Sequence, residues 1–576
     1  MRKAHKRKQG DIICYAVMIG YVVYFHSPSG PKDSSTYFES LTYCHTSVDQ
    51  LSDLLLRFIM FDHTRTLNHI SSFSLNIIPT LIFFLVAAYV LPIITRRLLR
   101  YVASPTSFSE KSSGHGTPSI SNLPHLSGVV PWLGHLMGLT IDSTRYINSL
   151  IASTTAPIFT INIPFARITV CHPSMDRVLS RHVNDTGLAQ VLVYVGPRLF
   201  GLKQDTIKAV FGYNPQPLHK QKFGHAENIV SLNQRSSTNI RDRVAKMPEV
   251  NELLIGRWVF ELAVSATASA VWGVANPWSM DQEFSNEFMK LSETFDTLGR
   301  PFSWLTANSA WKSRKFLLKR LREFHLQHRE ARVQTTGHSI NVVASSDPDW
   351  ENNPDYYHIE MVSALGLLAT TSTLAVWLTR HLLTDPDLVK VVLKEVEQVK
   401  YVEEDEDKPR LDFANVRSEC PWLMASWYET LRLHMTGVAR IARHDFMLNI
   451  PGSEPIAVPQ GEIFMLPMCA SNLDVDVWGL DAAVFKASRF IDKEGHVSGS
   501  AVRKVRAFGA AGNMCPGRVF GTDIVFSVIG TMLRTFDIEA APGEEFRVPT
   551  LRGGFNVGFE RYGDDVKVLL KRKHTA

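Results

Sequence analysis

The sequence predicts a mainly α-helical domain with small β-sheets, carried behind an N-terminal membrane anchor. Three observations support this. Apolar residues recur at helical spacing through much of the chain from about residue 180 onward, whereas alternation is confined to short stretches. One stretch, His358 to Leu383, is apolar on nearly every face, so it is buried in protein or in lipid. A second, Leu75 to Thr95, carries no charge and is followed at once by Arg96, Arg97 and Arg100. With 576 residues, 45% of them hydrophobic, a large core is available. The net charge of +5 is mild and gives no case for nucleic acid, and neither a zinc-type cysteine spacing nor a nucleotide-binding glycine loop is present. Six cysteines without paired spacing fit a reducing compartment better than a disulfide scaffold.

Residues 1–74 form a basic extension opening with Arg2, Lys3, Lys6, Arg7 and Lys8. Its apolar run, Ile12 to Phe25, is short against the roughly 20 residues that cross a bilayer, so a signal-like, interfacial or short spanning segment all remain open. Residues 75–95 form the transmembrane helix, and the arginines behind them place the downstream chain in the cytosol. If both runs cross, residues 26–74 lie in the lumen. Residues 96–123, rich in Ser, Gly and Pro, read as a linker to a domain spanning 124–576. That domain opens with a strand hairpin between Ile158 and Val170 around Pro164.

Further on, Phe284, Phe288, Leu291 and Phe295, then Trp311, Phe316, Leu317, Leu321 and Phe324, mark two amphipathic helices whose aromatic stripe reads as core. The long helix from about His358 ends before Asp385-Pro386 and carries Thr370, Thr371, Ser372 and Thr373 at its middle. Such hydroxyls either serve a site or bond back to their own helix. Glu429 and Arg432 stand three apart and share a helix face, a pairing that alone is worth little. Near the end, Phe508-Gly509-Ala510-Ala511-Gly512-Asn513-Met514-Cys515-Pro516-Gly517-Arg518 places a cysteine in a glycine-rich loop just before a helix marked by Phe520, Ile524, Val528 and Met532. A soft thiolate facing backbone N–H groups and a helix N-terminus suits a metal, and Cys515 reads as an iron ligand.

Phe508, Gly509, Cys515, Pro516, Gly517 and Arg518 resemble the haem-binding loop of the cytochrome P-450 superfamily. The resemblance implies that fold, haem b with the Cys515 thiolate as axial ligand, and a microsomal monooxygenase. Ala511 stands where the family usually has glycine, and Asn513 where it often has a basic residue. Pro124 to His135 is similar to the hinge that joins anchor to domain in microsomal members. Glu429 and Arg432 match the family's helical pair. Arg489, within Phe485-Lys486-Ala487-Ser488-Arg489-Phe490, matches the arginine that completes a structural triad with them, although the usual proline and glutamate are Ala487 and Ser488. Arg440 matches a haem propionate contact. Thr371 matches the threonine of the oxygen-side groove, with Thr373 as an alternative register, and the acid expected before it is missing. That absence, and the stretch ending in Trp377, are similar to the sterol 7α- and 12α-hydroxylase and prostacyclin synthase branch.

The expectation is a monooxygenase of the endoplasmic reticulum membrane with its catalytic domain in the cytosol. It would insert one oxygen atom from O2 into an apolar small molecule that is terpenoid, steroid or polyketide-like, arriving from the membrane lipid. Electrons would come from NADPH-cytochrome P-450 reductase, docked on Arg503, Lys504, Arg506 and Arg518. Overall resemblance suggests fungal secondary metabolism. Two alternatives stand beside it: a haem-thiolate isomerase or dehydratase needing no external electrons, and a catalytically degenerate haem-binding membrane protein.

Overall fold

The computed structural model describes residue 120 and residues 123–128, 134–163, 166–203, 223–299, 303–328, 355–399, 401–402, 410–411, 413–554, 556 and 558–573. The basic extension, the apolar runs at 12–25 and 75–95, and most of the linker lie outside the described residues.

The domain opens with β1 (His125–Leu126), α1 (Leu136–Ala152), β2 (Ile158–Ile163) and β3 (Ala166–Cys171). β2 and β3 pair antiparallel from Ile158 with Cys171 to Ile163 with Ala166, as the alternation around Pro164 predicts. Next come α2 (Asp176–Arg181), β4 (Thr186–Gly187), α3 (Leu188–Leu199), α4 (Ala226–Ala245), β5 (Val250–Leu254) and α5 (Ile255–Trp272). Two amphipathic helices follow, α6 (Gln282–Thr294) and α7 (Asn308–Gln327). α6 buries Phe284, Phe288 and Leu291, and α7 buries Leu317, Leu321 and Phe324. The Trp278 ring meets Phe284 and Phe288 edge-on at 5.4 and 6.0 Å, so this aromatic stripe is core.

The long apolar helix is real but interrupted: α8 (Asp355–Ala364) passes through a π-helical segment, Leu365–Ala369, into α9 (Thr370–Leu383). Asp355–Leu383 is, among the described residues, the one helix long and apolar enough to cross a membrane, and 72% of its most apolar window is buried inside the protein. Its apolarity therefore serves the core. α10 (Pro386–Gln398) follows, and α11 (Pro421–His434) begins with proline at its first turn, where no N–H is needed. Glu395 on α10 accepts the freed N–H groups of Trp422 and Leu423 at 2.9 and 3.1 Å, fixing the start of α11.

β6 (Val438–Ala442), β7 (Phe446–Leu448), β8 (Ile456–Val458) and β9 (Ile463–Leu466) come next. The main sheet runs β1-β2-β3-β9-β6-β4, with β9 parallel to β3 and antiparallel to β6. After β10 (Gly509–Ala510) and β11 (Asn513–Met514) comes α12 (Arg518–Thr535), followed by β12 (Phe536–Ala540) and β13 (Lys567–Arg572). On α12, Phe520, Ile524, Val528 and Met532 are at most 3% exposed, so the expected stripe is fully used. The largest core cluster joins apolar residues of α4, α5, α9, α11 and α12.

Candidate functional site

The cysteine loop is a tight hairpin. β10 and β11 pair Gly509 with Met514 and Ala510 with Asn513, leaving Ala511-Gly512 as a two-residue turn. Both turn residues have positive φ, 51° for Ala511 and 79° for Gly512, the combination that matches the twist of a two-residue hairpin. Ala511 thus takes the left-handed conformation that glycine takes without cost. Phe508 is also left-handed at φ 59°, and a Cβ at Gly509 would lie 2.1 Å from the Asn513 carbonyl oxygen. Across the hairpin mouth the Cys515 N–H donates to the Phe508 carbonyl at 2.6 Å. The Phe508 ring stands 6.5 Å from that of Trp427 on α11.

Cys515 is a free, exposed residue three positions before α12 begins. Burial by the surrounding chain pushes its thiol up, while the Gly517 N–H and the Arg518 guanidinium pull it down. In the protein alone burial outweighs those two.

Arg440, on β6 opposite Phe464, is 3% exposed. Its guanidinium donates to the carbonyls of Ala439 and Ala510, each at 3.2 Å, and Nε has no partner among the described residues. Burial and the neighbouring Arg443 charge lower its pKa to about 10, opposed by Asp176. Asn513 Nδ2 is likewise buried without a partner among the described residues. Two unsatisfied donors therefore sit at the loop, one on Arg440 and one on a residue of the loop itself, and such groups are costly unless something accepts from them.

The hydroxyl cluster starts where the π-helical segment ends. Thr379 bonds back to the Ala375 carbonyl, but Thr370, Thr371, Ser372 and Thr373 make no such bond among the described residues, and Ser372 Oγ is buried without a partner. Thr371 Oγ1 lies 3.4 Å from where a Cβ on Gly521 would stand, so it faces α12.

The structure brings Glu429, Arg432 and Arg489 together. Arg432 binds the Glu429 carboxylate through two nitrogens at 2.6 and 2.8 Å, and Arg489 Nε reaches it at 3.3 Å. The Lys486 N–H adds a contact at 2.9 Å. Arg432 also donates to the Asn472 and Ala482 carbonyls, both at 2.6 Å, and stacks over Trp478. Glu429 and Arg432 are fully buried, so every lone pair and donor needs these partners. Ala487 and Ser488 do not prevent Arg489 from reaching the carboxylate.

Sequence reasoning missed three arrangements. Asp176, the first residue of α2, accepts the Ala511 N–H at 2.7 Å. Asp523 on α12 is held by Arg417 and by Asn233 of α4, the latter at 2.8 Å. His381 and His434 meet at 2.8 Å, and His434 continues to Glu560 at 3.1 Å. The only available signal was a polar residue within an otherwise apolar helix, as at His381 and Asp523.

The cytochrome P450 family model matches residues 217–562. The chain is 24% identical to the cytochrome P450 monooxygenase nodJ of Hypoxylon pulicicidum over 457 residues, covering 73% of this chain and 84% of that protein. It is 22% identical to a cytochrome P450 monooxygenase of Gibberella zeae over 451 residues, covering 74% and 84%. A shorter match, 29% over 159 residues, covers 27% of this chain and 32% of the cytochrome P450 monooxygenase poxD of Penicillium oxalicum. With the cysteine hairpin, the buried glutamate and arginines and the long core helix in one domain, the chain belongs to the cytochrome P450 family and is an oxidoreductase of its monooxygenase class.

Proposed function

We propose that the chain is a membrane-anchored haem-thiolate monooxygenase in which Cys515 is the axial ligand of haem b. The observation that carries this reading is the loop itself: a hairpin with two left-handed non-glycine residues presents an exposed cysteine beside the unsatisfied donors of Arg440 and Asn513. These residues fit the group. Haem is a dicarboxylate, and a buried guanidinium with a free donor and an amide with another suit a carboxylate. Asn513 supplies a neutral donor where a basic residue is usual, so Arg440 brings the charge.

Bound haem supplies the one-electron and dioxygen chemistry. Cys515 would hold the iron. Gly517 N–H and Arg518 stabilise negative charge on its sulfur against the burial that opposes it. The hydroxyls of Thr370 to Thr373, free of their own helix, can hold and pass a proton, with Thr371 at the crossing with α12 as the leading candidate. Glu429, Arg432 and Arg489 act as structural supports. They tie α11 to the carbonyls of Asn472, Trp478, Asp481 and Ala482, on the stretch that leads to the loop.

The apolar 75–95 segment with its trailing arginines supports anchoring in the endoplasmic reticulum membrane with the domain in the cytosol. An apolar terpenoid, steroid or polyketide-like substrate would then arrive from the lipid. Arg503, Lys504, Arg506 and Arg518 are all exposed, which supports docking of NADPH-cytochrome P450 reductase by charge.

A second reading, a haem-thiolate isomerase or dehydratase working without external electrons, is favoured by one observation. Leu365 to Ala369, the segment leading into the hydroxyls, holds no carboxylate to deliver protons.

The deciding experiment is the absorption spectrum of the dithionite-reduced protein under carbon monoxide beside a Cys515→Ala variant. A red-shifted Soret band that vanishes in the variant is expected, and its absence from the wild type would overturn the assignment. Product formed only with NADPH and reductase supports the monooxygenase. Product formed without them supports the isomerase.

A further inference from the structure

We propose that Asp176 is a positioning residue for the thiolate loop, acting with Arg440 by gripping the two ends of one peptide group. The proposal rests on Cys515 being the axial ligand. The peptide joining Ala510 to Ala511 has its carbonyl bound by Arg440 at 3.2 Å and its N–H bound by Asp176 at 2.7 Å. Arg440 is fixed by β6 of the main sheet, and Asp176 belongs to α2, an element 335 residues earlier in the chain. The outer side of Asp176 faces Arg506 at 3.9 Å.

Such a clamp answers a specific mechanical need. The hairpin has two residues in each strand, too few to hold its own shape. Its turn places Ala511, 2% exposed, in a left-handed conformation that persists only where the surroundings enforce it. A cation on the carbonyl and an anion on the N–H polarise the same peptide in the same sense, and bonds to charged groups are the stronger kind. Cys515 is tied back to this hairpin through its N–H to Phe508. Release of the peptide at the turn therefore loosens the strand that leads into Cys515.

The test compares wild type, Asp176→Ala and Asp176→Asn in the full chain. Asparagine keeps an oxygen that can accept the Ala511 N–H, whereas alanine removes it. With haem bound, the carbon monoxide spectrum should pass from the thiolate-type to the thiol-type Soret band roughly tenfold faster in Asp176→Ala, the equivalent of losing one bond to a charged group. Asp176→Asn, which keeps the acceptor and loses the charge, should fall between wild type and Asp176→Ala. An unchanged rate in Asp176→Ala, or an Asp176→Asn variant as impaired as alanine, overturns the clamp. In haem-free protein, alkylation of Cys515 followed by peptide mass spectrometry should accelerate most in Asp176→Ala, and an equal rate in all three overturns it independently. Loss of the red-shifted band in the wild type would instead count against Cys515 ligation and leaves the alkylation result to decide the clamp.

Discussion

His381 Nε2 lies 2.8 Å from His434 Nε2 in the buried seam between α9 and α11. Only one of two facing nitrogens can carry the proton of that bond, so at least one imidazole is neutral. His434 leans on Trp377 with ring centroids 3.8 Å apart, and Phe485 covers His381 at 4.2 Å. Burial and the Arg432 charge lower the His434 pKa to about 3, and burial and His434 hold His381 well below its ordinary value.

At the far end of this chain, burial raises the Glu560 pKa to about 7. The signs oppose one another. The neutral histidines contribute stability present above their ordinary value of 6.5 and lost as pH falls toward about 3. Glu560 contributes stability present below 4.5 and lost as pH rises through about 7. Glu560→Gln keeps an acceptor for the His434 N–H and removes the titration. Its melting temperature relative to wild type is therefore expected to be higher near about pH 8 than near about pH 5. Calorimetry at the two pH values checks this, and a difference independent of pH would contradict it.

Glu429→Ala leaves Arg432 and Arg489 facing a buried void without their carboxylate. A loss of about 3–5 kcal/mol is expected, because an uncompensated buried charge costs more than the pair contributes. Denaturant unfolding measures it, with Glu429→Gln intermediate. A loss below about 1 kcal/mol, the range of exposed pairs, would show that the buried network is not formed in solution.

Ala511 is the loop position where a substitution should help. Ala511→Gly removes a left-handed cost of about 1–2 kcal/mol, partly offset by the greater freedom of unfolded glycine. A neutral to raised melting temperature is expected, with the red-shifted carbon monoxide band retained. Ala511→Val, β-branched and at a buried site, should lower both.

Ser372→Ala separates stability from chemistry. Removing a buried hydroxyl without a partner should stabilise the protein by about 1 kcal/mol or leave it unchanged. If the hydroxyl cluster passes protons, the same variant, like Thr371→Val, should form less product per NADPH consumed. Unchanged coupling in both would assign the cluster a purely structural part.

Arg503→Glu combined with Lys504→Glu reverses charge on an exposed surface. Reductase-driven turnover should fall and its dependence on salt should weaken, because charge steering acts on association. Turnover driven by a peroxide surrogate should stay at the wild-type level. Reductase-driven turnover and salt dependence both unchanged would place the docking surface elsewhere.

What the sequence by itself determined was local. The helix after Cys515 follows from Phe520, Ile524, Val528 and Met532, and the hairpin near Pro164 from alternation, because periodicity fixes which face is buried. The glycine-rich loop, and the order of Glu429, Arg432, Arg489 and Cys515, pointed to the family through residues near one another in the chain. The tertiary structure decided what depends on distant elements meeting. It placed Asp176 and Arg440 on one peptide, joined His381 to His434 and Glu560, and left Thr370 to Thr373 free of back-bonding where a π-helical segment enters α9. Those contacts join residues 53 to 335 positions apart, where periodicity gives no register, and the Glu429–Arg489 pairing, 60 apart, was legible only through the family resemblance. Only the packing of α2, β6, α9 and α11 decides which buried polar group finds which partner.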